Sequence, residues 1–94
     1  MVTVKVTDQQ GQPVKLDEAY TVRKDNGETI RPEQNMEGMY VVLDDSYQGK
    51  MPRESHTFHF VGKKDGKTVI DEPYLISADC CHISKLNGKE EIVL

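Results

Sequence analysis

The chain has 94 residues, with 12 basic and 16 acidic side chains for a formal net charge of −4; 36% of residues are hydrophobic and none is tryptophan. That length makes one domain, spanning 1–94, with one modest core drawn from Val, Ile, Leu and a few aromatics. An acidic balance without a concentrated basic footprint argues against nucleic-acid binding, and no apolar run approaches the ~18 residues of a membrane span.

In chain order, "VTVKVT" (2–7) alternates Val2, Val4 and Val6 against Thr3, Lys5 and Thr7, which predicts a half-buried strand with the valines inward. "DQQGQP" follows as a turn. "AYTVRK" (19–24) predicts a second strand, closed by the Gly-containing "DNGE", after which "ETIR" pairs back until Pro32. "GMYVVLDD" (38–45) is the most apolar strand. The segment 46–55, "SYQGKMPRES", reads as a loop or short irregular turn in which Tyr47 and Met51 are exposed apolar candidates for a partner contact, or else a lid over the sandwich end.

Two hairpins are expected in the C-terminal part. In "HTFHFVGKKDGKTVIDE" a three-residue loop, Lys64-Asp65-Gly66, places Phe60 opposite Ile70 and His59 opposite Asp71; a two-residue loop shifts that register. In "CHISKLNGKEEIVL" the Asn-Gly pair predicts a two-residue turn that pairs Lys85 with Glu90, Ile83 with Ile92, and Cys81 with Leu94. Cys81 then faces the core and His82 points away. The basic run Lys63-Lys64-Asp65-Gly66-Lys67 sits on a turn and reads as solvated surface. The fold class expected is all-β: a single antiparallel β-sandwich of about seven short strands, with transthyretin-like or Ig-like Greek-key topology.

The reactive side chains gather in "DCCH" (79–82). Adjacent Cα atoms lie ~3.8 Å apart, closer than an ordinary disulfide allows, so the favoured reading is one buried thiol and one at a strand entry or bulge. A small Zn or Cu site is the alternative. Cys80 and His82 share a strand face and would need His56 or His59 from a neighbour. His56 and His59 fall on opposite faces of the strand "HTFHF", which opposes joint chelation. A Cys–His nucleophile is disfavoured because Cys81 and His82 point opposite ways. Neither a cofactor nor a catalytic residue is expected.

The phrase "VTDQQGQPV" (6–14), followed by Asn26-Gly27 and by "GMYVV" (38–42), resembles the opening of carboxypeptidase regulatory-like domains, with their V-x-D-x-x-G-x-P-V and G-x-Y-x-V elements. The resemblance covers about the first half of the chain, and departs from the family in inserting "KLDE" before Ala19. It implies a non-catalytic seven-stranded sandwich of transthyretin-like fold, an accessory or binding module of a secreted or cell-surface protein with a protein or carbohydrate partner. Transthyretin-like hydrolases end in Tyr-Arg-Gly-Ser, whereas this chain ends "EEIVL". Met1 leads straight into "VTVKV" with no signal-peptide core. An extracytoplasmic setting (periplasm or cell surface) is therefore expected for a domain excised from a larger or processed protein, and a cytoplasmic one stays open.

Overall fold

The computed structural model describes residues 1–34, 36–51, 53–79 and 81–94. Among these, eight strands form: β1 (Val2–Thr7), β2 (Glu18–Arg23), β3 (Thr29–Ile30), β4 (Met39–Leu43), β5 (Ser55–Lys64), β6 (Lys67–Ala78), β7 (Ile83–Asn87) and β8 (Glu91–Val93). One 3-10 helix, Asp45–Lys50, lies between β4 and β5. The strands build a three-stranded sheet, β4-β1-β8, and a five-stranded sheet, β3-β2-β5-β6-β7. The two pack over a shared core, the all-β sandwich expected from the strand pattern. All pairings are antiparallel except β1 with β8, which is parallel. No helix among the described residues is long and apolar enough to cross a membrane.

Alternation decides what each strand buries. Val2, Val4 and Val6 of β1 face inward, as do Tyr40 and Val42 of β4, Phe58 and Phe60 of β5, and Tyr74 and Ile76 of β6. On β2 the inward set is Ala19, Thr21 and Arg23, while Tyr20 and Val22 lie outside. Thr21 is accommodated because its Oγ1 donates to the Val42 carbonyl of the other sheet at 2.5 Å.

The N-terminal sequence pattern has a direct physical cause. Asp8 Oδ1 accepts from the backbone amides of Gln10 and Gln12, both at 2.9 Å, closing the turn after β1. The returning chain then lies against β1, with Val14 N donating to Val6 O at 3.1 Å. Gly38 packs on this return: a Cβ at Gly38 would sit 2.4 Å from Pro13 Cβ, and φ is +79°. Two residues on, the Tyr40 hydroxyl donates to Val14 O (2.9 Å) and accepts from Leu16 N (2.7 Å). The Asp, Pro, Gly and Tyr of the pattern thus form one contact unit.

Both expected hairpins are corrected. The "KKDG" turn is a two-residue loop, with Asp65 and Gly66 both at positive φ and Lys64 opposite Lys67. It opposes Gly62 to Ile70, Phe60 to Glu72 and His59 to Pro73, with a bulge at Gly62/Lys63. Gly62 favours this register because Leu16 and Ile70 fill the space its side chain would need.

The Asn87-Gly88 pair is not a hairpin turn. β7 pairs with β6, and the chain then crosses to the other sheet, where β8 runs parallel to β1. Tyr74 explains the crossing. Its ring lies where a Gly88 Cβ would sit, 2.2 Å away, and its hydroxyl donates to Lys89 O at 2.7 Å. Burial, and then Glu72 nearby, pushes that hydroxyl's pKa up to about 12, so it stays a donor at any moderate pH. Ile83 and Ile92 still both reach the core, and Lys85 still meets Glu90 at 3.6 Å, but across two sheets.

Gly38→Ala should therefore destabilise the protein by about 3 kcal/mol or more, combining left-handed strain with overpacking against Pro13. Gly49→Ala, where nothing lies within 4 Å of the added carbon, should be near neutral. Tyr40→Phe, which orphans Val14 O and Leu16 N, should cost about 2 kcal/mol. Urea titration of the three variants checks the order.

Candidate functional site

The densest set of interacting polar groups closes one end of the sandwich. Asp44 starts the 3-10 helix by accepting from Ser46 N at 3.0 Å. The helix then turns Tyr47 inward, edge-on to Phe58 with centroids 5.8 Å apart. The expected exposure of Tyr47 and Met51 is corrected: they are 5% and 0% exposed and belong to the core. Packing on Phe58 and the rest of the shared core draws both side chains in, which corresponds to the lid alternative of the sequence reading.

Arg23, on the inward face of β2, holds the lid. Its Nε and Nη2 donate to the two oxygens of Asp25 at 2.7 and 3.0 Å. Nη1 reaches the Tyr47 hydroxyl at 3.3 Å and the Lys50 carbonyl at 3.4 Å, and Nη2 meets His56 Nε2 at 3.0 Å. All five N–H groups of the guanidinium are engaged. Tyr47 in turn donates to Glu28, whose second oxygen meets Lys50 Nζ at 3.2 Å. The electrostatics follow these contacts. Hydrogen bonds that Arg23 donates to Asp25, and then to Tyr47, raise its pKa. The same Arg23 contact lowers that of Asp25. Tyr47 and Lys50 lower Glu28, while burial and then Glu28 raise Tyr47.

His56 has two partners for one nitrogen. Nδ1 lies 3.2 Å from Asp25 Oδ2; Nε2 lies 3.0 Å from Arg23 Nη2 and 3.2 Å from Glu54 Oε1. Because a guanidinium only donates, the neutral ring with hydrogen on Nδ1 fits the Arg23 and Asp25 contacts together, a tautomer assigned from its partners. No buried side-chain nitrogen or oxygen among the described residues lacks a partner. The cluster's donors and acceptors are spent on one another, and the chemistry it performs is to pin the helix to the five-stranded sheet.

The other histidines lie apart from it. His59 points to the outer face of β5, opposite in direction to His56 as expected, and Nδ1 meets Asp71 at 2.8 Å. His82 is exposed in the turn between β6 and β7, where Asp79 Oδ1 accepts from the amides of Cys81 (2.7 Å) and His82 (2.8 Å). These two bonds hold the Asp79 carboxyl below the usual range. Both the core position and the free thiol expected for Cys81 are corrected: it is exposed, since the chain turns at Asp79 before β7 begins, and it is disulfide-bonded. Cys80, and with it the Cys80–His82 metal pair, lies outside the described residues. Among the described residues no three His, Cys, Asp or Glu side chains are grouped to hold a metal.

A second surface was missed by the sequence reading. Met36 and Met39 flank Gly38 and face each other across a bridge, with Met39 N donating to Met36 O at 3.4 Å. They are 66% and 36% exposed, and with Met1, 64% exposed, they line a hollow of about 310 Å³ on the outer side of β4. Val41 extends its apolar floor, and Glu33 and Asp44 also line it. Parity was the available signal: with Tyr40 and Val42 inward, Met39 and Val41 must face out.

No family model, curated protein or solved structure matches the chain.

Arg23→Met should lower the melting temperature by at least about 5 °C, since it strips partners from Tyr47 and the Lys50 carbonyl. Asp25 and Glu28 have folded pKa values below their unfolded ones, so their stabilisation is complete above about pH 5 and is lost as pH falls through the folded values. Melting curves between neutral pH and strong acid should fall with a shallower acid slope in Asp25→Asn than in the parent.

Proposed function

We propose that this chain is a non-catalytic accessory module of the carboxypeptidase regulatory-like kind, carried by a secreted or cell-surface protein and acting through protein contact. The observation that carries the reading is the exposed methionine face of the small sheet. Thioether side chains are flexible and polarizable and suit adaptable binding surfaces. Single exposed hydrophobes need no explanation, but three methionines lining one hollow with Val41 form a contiguous apolar patch.

Further support comes from the coupling of Pro13, Gly38 and Tyr40, which gives the motif behind the resemblance a structural reason. Of the reactive side chains named from the sequence, His56 and His59 point to opposite faces, and each engages local partners. The contact surface is therefore the Met36–Met39 face and not Tyr47 and Met51, which are core.

The double variant Met36→Gln/Met39→Gln should keep its melting temperature within about 2 °C, as expected for exposed positions, and should lose the partner that the parent retains from native extract. Leu86→Gln, on the other sheet and 58% exposed, should retain it. Equal retention by all three proteins would sink the assignment of this face.

A further inference from the structure

The proposed contact face has a chemical polarity and a blocked edge, and together these define what fits it. β4 is an edge strand of its sheet. An edge ordinarily offers its unpaired amides and carbonyls to an added strand. Here the Gln34 side chain fills that position. Its Oε1 accepts from Val41 N at 2.7 Å and its Nε2 donates to Val41 O at 3.0 Å, as a neighbouring strand would. The Met39 amide, next along the same edge, is taken by Met36 O. With Val41 and the Met39 amide already taken, strand addition is opposed along this part of the edge, which favours binding through side chains.

Those side chains are apolar at the floor and acidic at the border. Met1, Met36, Met39 and Val41 supply the floor; Glu33 and Asp44 share the hollow, and Glu37 lies beside Met36 in the adjoining one. Neither Glu33 nor Glu37 belongs to an ion pair among the described residues. Four cations adjoin the face. The N-terminal ammonium is taken by Asp45 at 3.0 Å and Lys85 by Glu90 at 3.6 Å; Lys5 lies opposite Met39 at the end of β4 remote from Asp44, and Lys15 shares the adjoining hollow with Glu37. The methionine hollow itself is lined by Glu33 and Asp44 and by no Lys or Arg, so an incoming cation meets Glu33 there.

Resting on the module reading above, we infer that the occupant of this face is a protein segment that presents apolar side chains flanked by Lys or Arg. It docks side chain to side chain, as an amphipathic helix does, and leaves the β4 edge closed. Its apolar side chains fill the hollow while its cations meet Glu33. Long-range attraction then speeds encounter, and the methionines adapt to the shape that arrives.

The test is selection of random displayed peptides on the folded protein, followed by NMR with methyl-labelled methionine. The expected result is enrichment of apolar sequences flanked by Lys or Arg, which shift the Met36 and Met39 methyls and leave buried Met51 and the Gln34 side-chain amide unmoved. Affinity should fall at least about threefold in Glu33→Gln and fall again at high salt. Peptides that shift the same methyls but are neutral or acidic overturn the cationic occupant and leave the module reading standing. Peptides that displace Gln34 from Val41 overturn side-chain docking in favour of strand addition. Selection of nothing, or only of peptides that map to another surface, overturns both this inference and the choice of the methionine face.

Discussion

The structure depends most on the contact of Gly38 and Tyr40 with the chain that returns after β1. That return carries the protein from one sheet to the other, and its backbone polar groups need partners. The Tyr40 hydroxyl supplies two, at Val14 O and Leu16 N, while Pro13 fills the space that Gly38 leaves open. With the crossing held, β4 can lie beside β1 and β2 can begin the opposite sheet. The Thr21–Val42 hydrogen bond then joins the two sheets. Removing a buried partner here costs more than the mean value of a hydrogen bond, because the orphaned amide or carbonyl has no water to turn to.

Polar chemistry inside the sandwich serves closure. A β-sandwich has two open ends, and a chain this short has little apolar surface to spare for covering them. At one end the 3-10 helix supplies Tyr47 and Met51 as the plug, and Arg23 ties that plug to the five-stranded sheet by donating to the Tyr47 hydroxyl and the Lys50 carbonyl. The same bonds that hold Arg23 charged draw Asp25 and Glu28 into its field, which makes the lid acid-sensitive. At the other extreme of polarity, the outer side of β4 leaves methionines bare while closing its own edge with Gln34.

Much of the fold was legible in the residues. Val2, Val4 and Val6 point inward as their alternation requires, β3 pairs back onto β2 after the Asn26-Gly27 turn, and His56 and His59 part to opposite faces. The candidate site was less legible. Tyr47 and Met51 sit in a polar stretch whose composition says loop, and only the hydrophobic end of the finished sandwich gives them a reason to turn in. Arg23 is concealed by its neighbours, because Tyr20 and Val22 look like the inward pair of β2. The inner face there needs a hydroxyl for Val42 O and a guanidinium for the lid, requirements that come from other strands.

Local pattern thus determined the all-β class, most strand positions and the parity of side chains along them, since alternation is a property of the extended backbone itself. Tertiary structure decided which strands became neighbours. Asn87-Gly88 carries a strong local hairpin signal, yet the chain crosses to the opposite sheet there. Tyr74, 14 positions earlier than Gly88 in the numbering, occupies the space beneath that glycine and captures the Lys89 carbonyl. Burying Ile92 beside β1 then completes the three-stranded sheet, which a local hairpin would have left as two strands. The deciding contact joins residues whose proximity exists only after the fold has formed, so no reading of the turn alone discloses it.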